Sequence, residues 1–378
     1  NAMKRFLIAP DSFKGTMSAD TVASIVKDAI LARIPDAEIT CLPMADGGEG
    51  LTDACLRILG GEKVTLTVTG PMGTPVEAFY GILPSGEAVM EMAACAGLPL
   101  VTGAKNPLAA TTYGVGEMLI HAQKRGVTDV LLGLGGSATN DGGVGMARAL
   151  GFTFTDRKNQ PFAPTAGTLQ EIGSVSRPET PLNLTVRAAC DVDNPLCGPE
   201  GATYTFGPQK GVTEAMLGAL DAGLANLAVV MARDLGADMA LFPGAGAAGG
   251  LGAGVMAFLS GSLLPGIDML LDAAHFDERL QNADMVFTGE GRMDWQSAHG
   301  KVPVGVSRRA KKAGVPCVAL CGALGEGFEA VYDEGVTAAF SAVRGACDFE
   351  TIKETCQRDY RALADAVIRL LQIKEERT

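Results

Sequence analysis

Histidine occurs only three times, at His121, His275 and His299, and none of the nine cysteines forms a Cys-x-x-Cys pair. That spacing argues against a zinc centre. No histidine neighbours a candidate nucleophile, so neither a Ser-His-Asp set nor a Cys-His pair has support. A Walker-type Gly-Lys-Ser/Thr is absent, which argues against a P-loop NTPase. No Lys/Arg-rich run relieves the formal net charge of −12, so neither a nucleic-acid backbone nor an anionic membrane surface is an expected partner. There is no signal-peptide pattern and no apolar run long enough to span a bilayer. With the odd cysteine count, these absences point to a cytoplasmic protein in a reducing compartment. Cys317 and Cys321, in and just after an apolar strand, read as buried thiols rather than a redox pair.

Glycine is abundant instead, 49 of 378 residues, nearly double the usual share. With 47% apolar residues, a chain of this length has enough material for two domains, each with its own core. The chain opens with strand "KRFLIAPD", a loop, and a helix begun by Ser18 with Val22, Ile25, Val26, Ala29 and Ile30 at helical spacing. Strand "AEITCLPM", the loop "ADGGEG" and a helix from Leu51 to Leu59 follow. This alternation belongs to an open parallel sheet covered by helices. "KVTLTVTG" and "VEAFYGIL", joined by "PMGTP", then read as a hairpin, and a long helical stretch runs from Thr213 to about Leu235. Alternation resumes at "ADMVFTGEG" and ends in an amphipathic helix through Ile352, Cys356, Tyr360, Leu363, Val367 and Leu370. The expected architecture is an α/β domain from residues 3–62 and 280–378, with a mixed α/β domain of residues 63–279 inserted and a ligand cleft between them.

Four glycine-rich loops also carry charged or hydroxyl groups: "ADGGEG" (45–50), "GLGGSATNDGG" (133–143), "PGAGAAGGLGAG" (243–254) and "TGEGRMD" (288–294). Glycine lets backbone N–H groups approach an anion closely. "GAGAAG" and "GLGGSA" also fit dinucleotide-binding fingerprints, with Asp156 about twenty residues beyond the second as a candidate ribose ligand. Against that, "DMALFP" is a poor strand, and residues 140–143 delay the helix that should begin beside a pyrophosphate.

In open α/β sheets ligands gather beyond the carboxyl ends of the strands. Those ends carry Asp11, Ser12 and Lys14, then Asp46, then Glu290, Arg292 and Asp294, and Asp191 followed by Lys210. Acids suited to Mg²⁺, cations suited to phosphate and glycine loops together match what phosphoryl transfer needs, which is positioning and charge stabilisation.

"APDSFKG" (9–15), "LPMADGGEG" (42–50), "GLGGSATNDGG", "ACDVDNPLCGPEGA" (189–202), "FGPQKG" (206–211), "PGAGAAGGLGAG" and "TGEGRMDWQSAHGK" (288–301) together resemble the type I bacterial glycerate kinase family. The resemblance spans essentially the whole chain. It implies a flavodoxin-like domain with a second α/β domain, and phosphorylation of D-glycerate by ATP with Mg²⁺, usually at the 2-hydroxyl. Trp295 occupies a position variable in the family. Residues and resemblance agree on roles: Lys14, Lys210, Arg292 and Lys301 neutralise ATP phosphates or the glycerate carboxylate, and Asp46, Asp191, Glu290 and Asp294 are metal ligands or the base. Asp191 is favoured as base, with Asp46, Glu290 and Asp294 for the metal. Asp11, Ser12, Gly47, Gly48, Gly135, Gly136, Ser137, Thr139, Asn140, Gly246 and Gly249 are expected to line the substrate and ATP sites. Asp141 either caps the following helix or faces metal. A 3-phosphoglycerate product, an NAD(P)-linked hydroxy-acid oxidoreductase, a metabolite-binding protein and a homo-oligomeric state all stay open at this point.

Overall fold

The computed structural model describes residues 4–44, 50–298, 301–345 and 348–372. The chain divides into two compact units, Asn1–Gly50 with Leu270–Thr378, and Leu51–Met269. The first division falls before the helix Leu51–Leu59, whereas the sequence alternation places that helix in the first domain. Its contacts explain the difference. Thr52 donates from its backbone N–H to Glu91 Oε2 at 3.2 Å and from its hydroxyl to the Val89 carbonyl at 3.4 Å, both in the second unit.

The first unit is a five-stranded, wholly parallel sheet. In chain order its strands are Arg5–Ile8, Glu38–Cys41, Met285–Thr288, Cys317–Cys321 and Ala338–Ser341, and across the sheet they stand 2-1-3-4-5. This is the flavodoxin-like order, whose ligand crevice lies where strand order reverses, between the first and third strands. The register pairs Phe6 with Met285 and Ile8 with Phe287, so both strands end at the same level. Pairing continues past them, with Ala9 N–H donating to the Phe287 carbonyl at 2.8 Å and Asp11 N–H to the Gly289 carbonyl at 2.9 Å. The segments carrying Asp11 and Glu290 are thus held side by side.

Helix Ala19–Leu31 buries Val22, Ile25, Val26 and Ile30 on one face. Helix Phe349–Gln372 buries Tyr360, Ala364, Val367 and Ile368, and both faces join Phe6, Ile8, Phe287 and Leu320 in one core. Cys317 and Cys321 are buried in their strand, where loss of solvent pushes both thiols up to about 12. They are unreactive packing groups.

The second unit has a six-stranded sheet in the order Ser262–Leu264, Thr185–Ala189, Asp129–Gly133, Ala88–Glu91, Pro75–Ile82 and Glu62–Thr69. The first four are parallel, and the last two form the expected antiparallel hairpin at the edge. A three-stranded antiparallel sheet, Pro161–Phe162, Thr153–Asp156 and Ile172–Ser176, stands apart from it. The stretch Glu214–Leu235 forms a helix of 22 residues with mean hydropathy 1.7, long and apolar enough by length and composition to cross a membrane. This departs from the expectation of no such run: only Asp221 and Asn226 interrupt its apolar residues, with Glu214, Arg233 and Asp234 at its ends. Here Leu220, Leu224 and Leu227 pack inside the unit, while Asn226 Nδ2 donates to the carbonyls of Leu169 and Ile172.

Ser18 caps its helix by accepting from Thr21 N–H at 3.1 Å. Ser18→Ala is expected to cost about 1 kcal/mol and Ser18→Gly only a few tenths, measured by urea unfolding.

Candidate active site

In the first unit, the switch point gathers acids against cations. Glu290 is 5% exposed, and its Oε1 is buried with no hydrogen-bond partner, while Oε2 lies 3.7 Å from Lys301 Nζ. Burial raises the Glu290 carboxyl above its ordinary range. The Ser297 hydroxyl and Lys301 oppose that rise, and the charges of Asp11 and Asp294 add to it. Asp11 is likewise raised by burial, against the Ser12 N–H, which donates to its Oδ1 at 2.7 Å, and against the charges of Lys14 and Lys301. Asp294 Oδ1 accepts from Gln296 N–H at 3.0 Å, and its Oδ2 is 3.7 Å from Arg292 Nε. Asp11, Lys14, Glu290, Asp294 and Lys301 therefore share one electrostatic neighbourhood, with Arg292 at its edge. Gly289 is required there, because a Cβ at that position would sit 2.0 Å from the Leu320 carbonyl oxygen. Asp46, Gly47 and Gly48 lie outside the described residues.

In the second unit, the strand Asp129–Gly133 delivers the chain into the loop 134–143. Gly135 and Gly136 are exposed, and Gly136 takes the left-handed conformation at φ +76°. Beyond them the chain turns inward, and Ser137, Thr139, Asn140 and Asp141 are all buried. Lys210, 3% exposed, reaches this loop from the segment Pro208–Lys210, its Nζ donating to Ser137 Oγ at 2.8 Å and to the Thr139 carbonyl at 2.7 Å. Burial brings the ammonium down to about 8, with Asp141 holding it up against that drop. Asn140 Nδ2 donates to Thr203 Oγ1 at 2.9 Å, leaving its Oδ1 buried without a partner, as is Thr139 Oγ1.

Asp141 resolves toward capping. Its carboxylate accepts from Gly143 and Gly145 N–H at the start of helix Val144–Ala149, and from the N–H and hydroxyl of Thr112. Asp191, exposed beyond strand Thr185–Ala189, accepts from Gly266 N–H at 2.8 Å. Gly246 and Gly249 allow close approach to the chain's own carbonyls: a Cβ would meet Pro195 O at 2.2 Å or Thr139 O at 1.9 Å. The "GAGAAG" match is no dinucleotide turn. Ala248, Gly249 and Gly250 are all left-handed and no strand precedes them, while Asp156 closes a local turn onto Lys158 and Gln160 N–H.

The glycerate kinase family is matched over residues 6–372. The chain belongs to the glycerate kinase family. It is 46% identical over 348 residues to a glycerate kinase of Halalkalibacterium halodurans, covering 90% of this chain and 91% of that one. It is 42% identical over 344 residues to the glycerate 2-kinase of Escherichia coli, covering 90% of each. A solved structure from Salmonella typhimurium LT2, 40% identical, matches with a TM-score of 0.81 over 100% of both chains. The protein is thus a kinase-family enzyme with the mixed α/β fold of its relatives.

Within this glycerate kinase family member, no group of three or more His, Cys, Asp or Glu suited to a metal occurs among the described residues. Mg²⁺ is compatible with that, since it is commonly held by one or two carboxylates together with substrate phosphates. Thr112 and Thr203 escape sequence reasoning. Each supports a motif residue from a distant segment, and neither carries a spacing signal of its own.

Lys210 yields a pH test. Its folded value near 8 lies below the unfolded value of about 10.4, so between them the unfolded chain binds more protons and stability rises with pH. Urea unfolding at pH 8 and 10 should show wild type gaining about 2 kcal/mol that Lys210→Met does not gain.

Proposed function

We propose that this enzyme transfers the γ-phosphoryl group of ATP to the 2-hydroxyl of D-glycerate, giving 2-phosphoglycerate and ADP. One observation carries the reading. Among the described residues, the buried side-chain polar atoms without a partner are Thr139 Oγ1, Asn140 Oδ1 and Glu290 Oε1, all in the glycine-rich motifs. Leaving such an atom unsatisfied costs about 1–3 kcal/mol, a cost a ligand's own polar groups would offset.

Glu290 and Asp294, with Asp46, would hold Mg²⁺, and the buried Glu290 carboxylate, whose Oε1 has no partner, fits a divalent cation. When bound, that ion neutralises charge developing on the phosphate oxygens. Lys14, Arg292 and Lys301 balance the remaining charge of ATP and of the glycerate carboxylate. Lys210 keeps the loop 137–140 in place, so that the Thr139 hydroxyl donates to a substrate oxygen and Asn140 Oδ1 accepts from a glycerate hydroxyl. Asp191 takes the proton from the attacking 2-hydroxyl, held in orientation by Gly266 N–H. Asp11, Ser12 and the exposed backbone of Gly135 and Gly136 complete the proposed substrate and ATP contacts. The name of the E. coli relative supports the 2-position.

With Mg²⁺ and ATP, ADP release should depend on D-glycerate, and the proton-coupled ³¹P signal of the product should be a doublet from its single neighbouring C–H. A triplet would assign the 3-phosphate, and no glycerate-dependent ADP would refute the kinase reading. Asp191→Asn should lower kcat by about 10²–10⁴-fold; near-normal turnover would remove Asp191 as the base.

A further inference from the structure

We infer that the second unit carries a separate binding site for a small hydroxycarboxylate monoanion, built around Arg148. A cavity of about 320 Å³ is lined by Thr69, Thr111, Tyr113, Asp141, Arg148 and Thr165, among others. None of the residues assigned above to ATP phosphates, metal or proton transfer lines it. The Arg148 guanidinium lies 5.6 Å from the centre of the Tyr113 ring, held by a cation–π contact. Among the described residues it has no carboxylate partner.

The chemistry of the wall selects the ligand. A single planar guanidinium matches one carboxylate through two hydrogen bonds. The Thr69, Thr111, Tyr113 and Thr165 hydroxyls suit a ligand that also carries hydroxyl groups. Asp141 is also a lining residue, and its carboxylate, which accepts from Thr112, Gly143 and Gly145, offers a ligand no donor and opposes added negative charge. The volume is at the small end for ligand pockets, room for a short-chain acid rather than a nucleotide. Because Asp141 also anchors the loop that holds Thr139 and Asn140, an occupant here abuts the segment on which the proposed substrate contacts depend.

The test is equilibrium dialysis of the full chain, without ATP, against labelled D-glycerate, with ADP release measured on the same samples. Wild type should bind two glycerates per chain and Arg148→Met one, with kcat unchanged and inorganic phosphate a poor competitor at the second site. Arg148→Lys, which keeps the charge and loses the fork, should bind about tenfold more weakly there, and it substitutes for Arg148→Met if the latter does not fold. One glycerate per wild-type chain, equal stoichiometry in wild type and folded Arg148→Met, or phosphate outcompeting glycerate would overturn the proposal. So would loss of turnover in Arg148→Met together with its only glycerate, because Arg148 would then belong to the substrate site. Failure of the kinase reading shows separately, as absent ADP release in wild type.

Discussion

A buried ammonium can only donate, and Lys210 spends two of its donors on one loop, at Ser137 Oγ and the Thr139 carbonyl. That contact decides what the neighbouring side chains can do. With its carbonyl held by Lys210 and pressed by the left-handed Gly249, Thr139 presents a hydroxyl with no partner of its own. Asn140 is fixed through its amide to Thr203, which leaves its carbonyl oxygen unpaired. The loop is therefore preorganised before any ligand arrives, so its ordering entropy is not charged to binding.

The first unit reaches a comparable result through topology. Strand order reverses between Arg5–Ile8 and Met285–Thr288, the place where open α/β sheets gather ligands beyond the strand ends. Register keeps Asp11 beside Gly289, and the missing side chain of Gly289 lets the chain pass against the Leu320 carbonyl. Acids concentrated in so dry a place raise one another's affinity for protons. A bound cation would reverse that tendency for Glu290, as the proposed metal role requires.

Much of this was legible in the sequence because it depends on local pattern. Ser18 and its apolar stripe, the hairpin across "PMGTP", and the placement of Asp11 and Glu290 at strand ends each follow from a few consecutive residues. Contacts made between distant segments were not legible. Nothing near Asp141 announces Thr112, nothing near Asn140 announces Thr203, and the alternation through Leu51–Leu59 does not reveal that Thr52 bonds to Glu91 and so joins the second unit. Gly246 and Gly249 illustrate the same limit. A glycine that admits a phosphate and one that admits a carbonyl look alike in sequence, and here the close neighbours are Pro195 O and Thr139 O.

The central claim is that the orphaned atoms are ligand contacts held ready by the fold. A crystal structure with Mg²⁺, a non-hydrolysable ATP analogue and D-glycerate tests it most directly. The account predicts Glu290 Oε1 on the metal and Thr139 Oγ1 and Asn140 Oδ1 within hydrogen-bond distance of substrate oxygens, with Lys210 still on Ser137 and Thr139. A bound complex in which all three atoms stay out of reach of the ligands would contradict it.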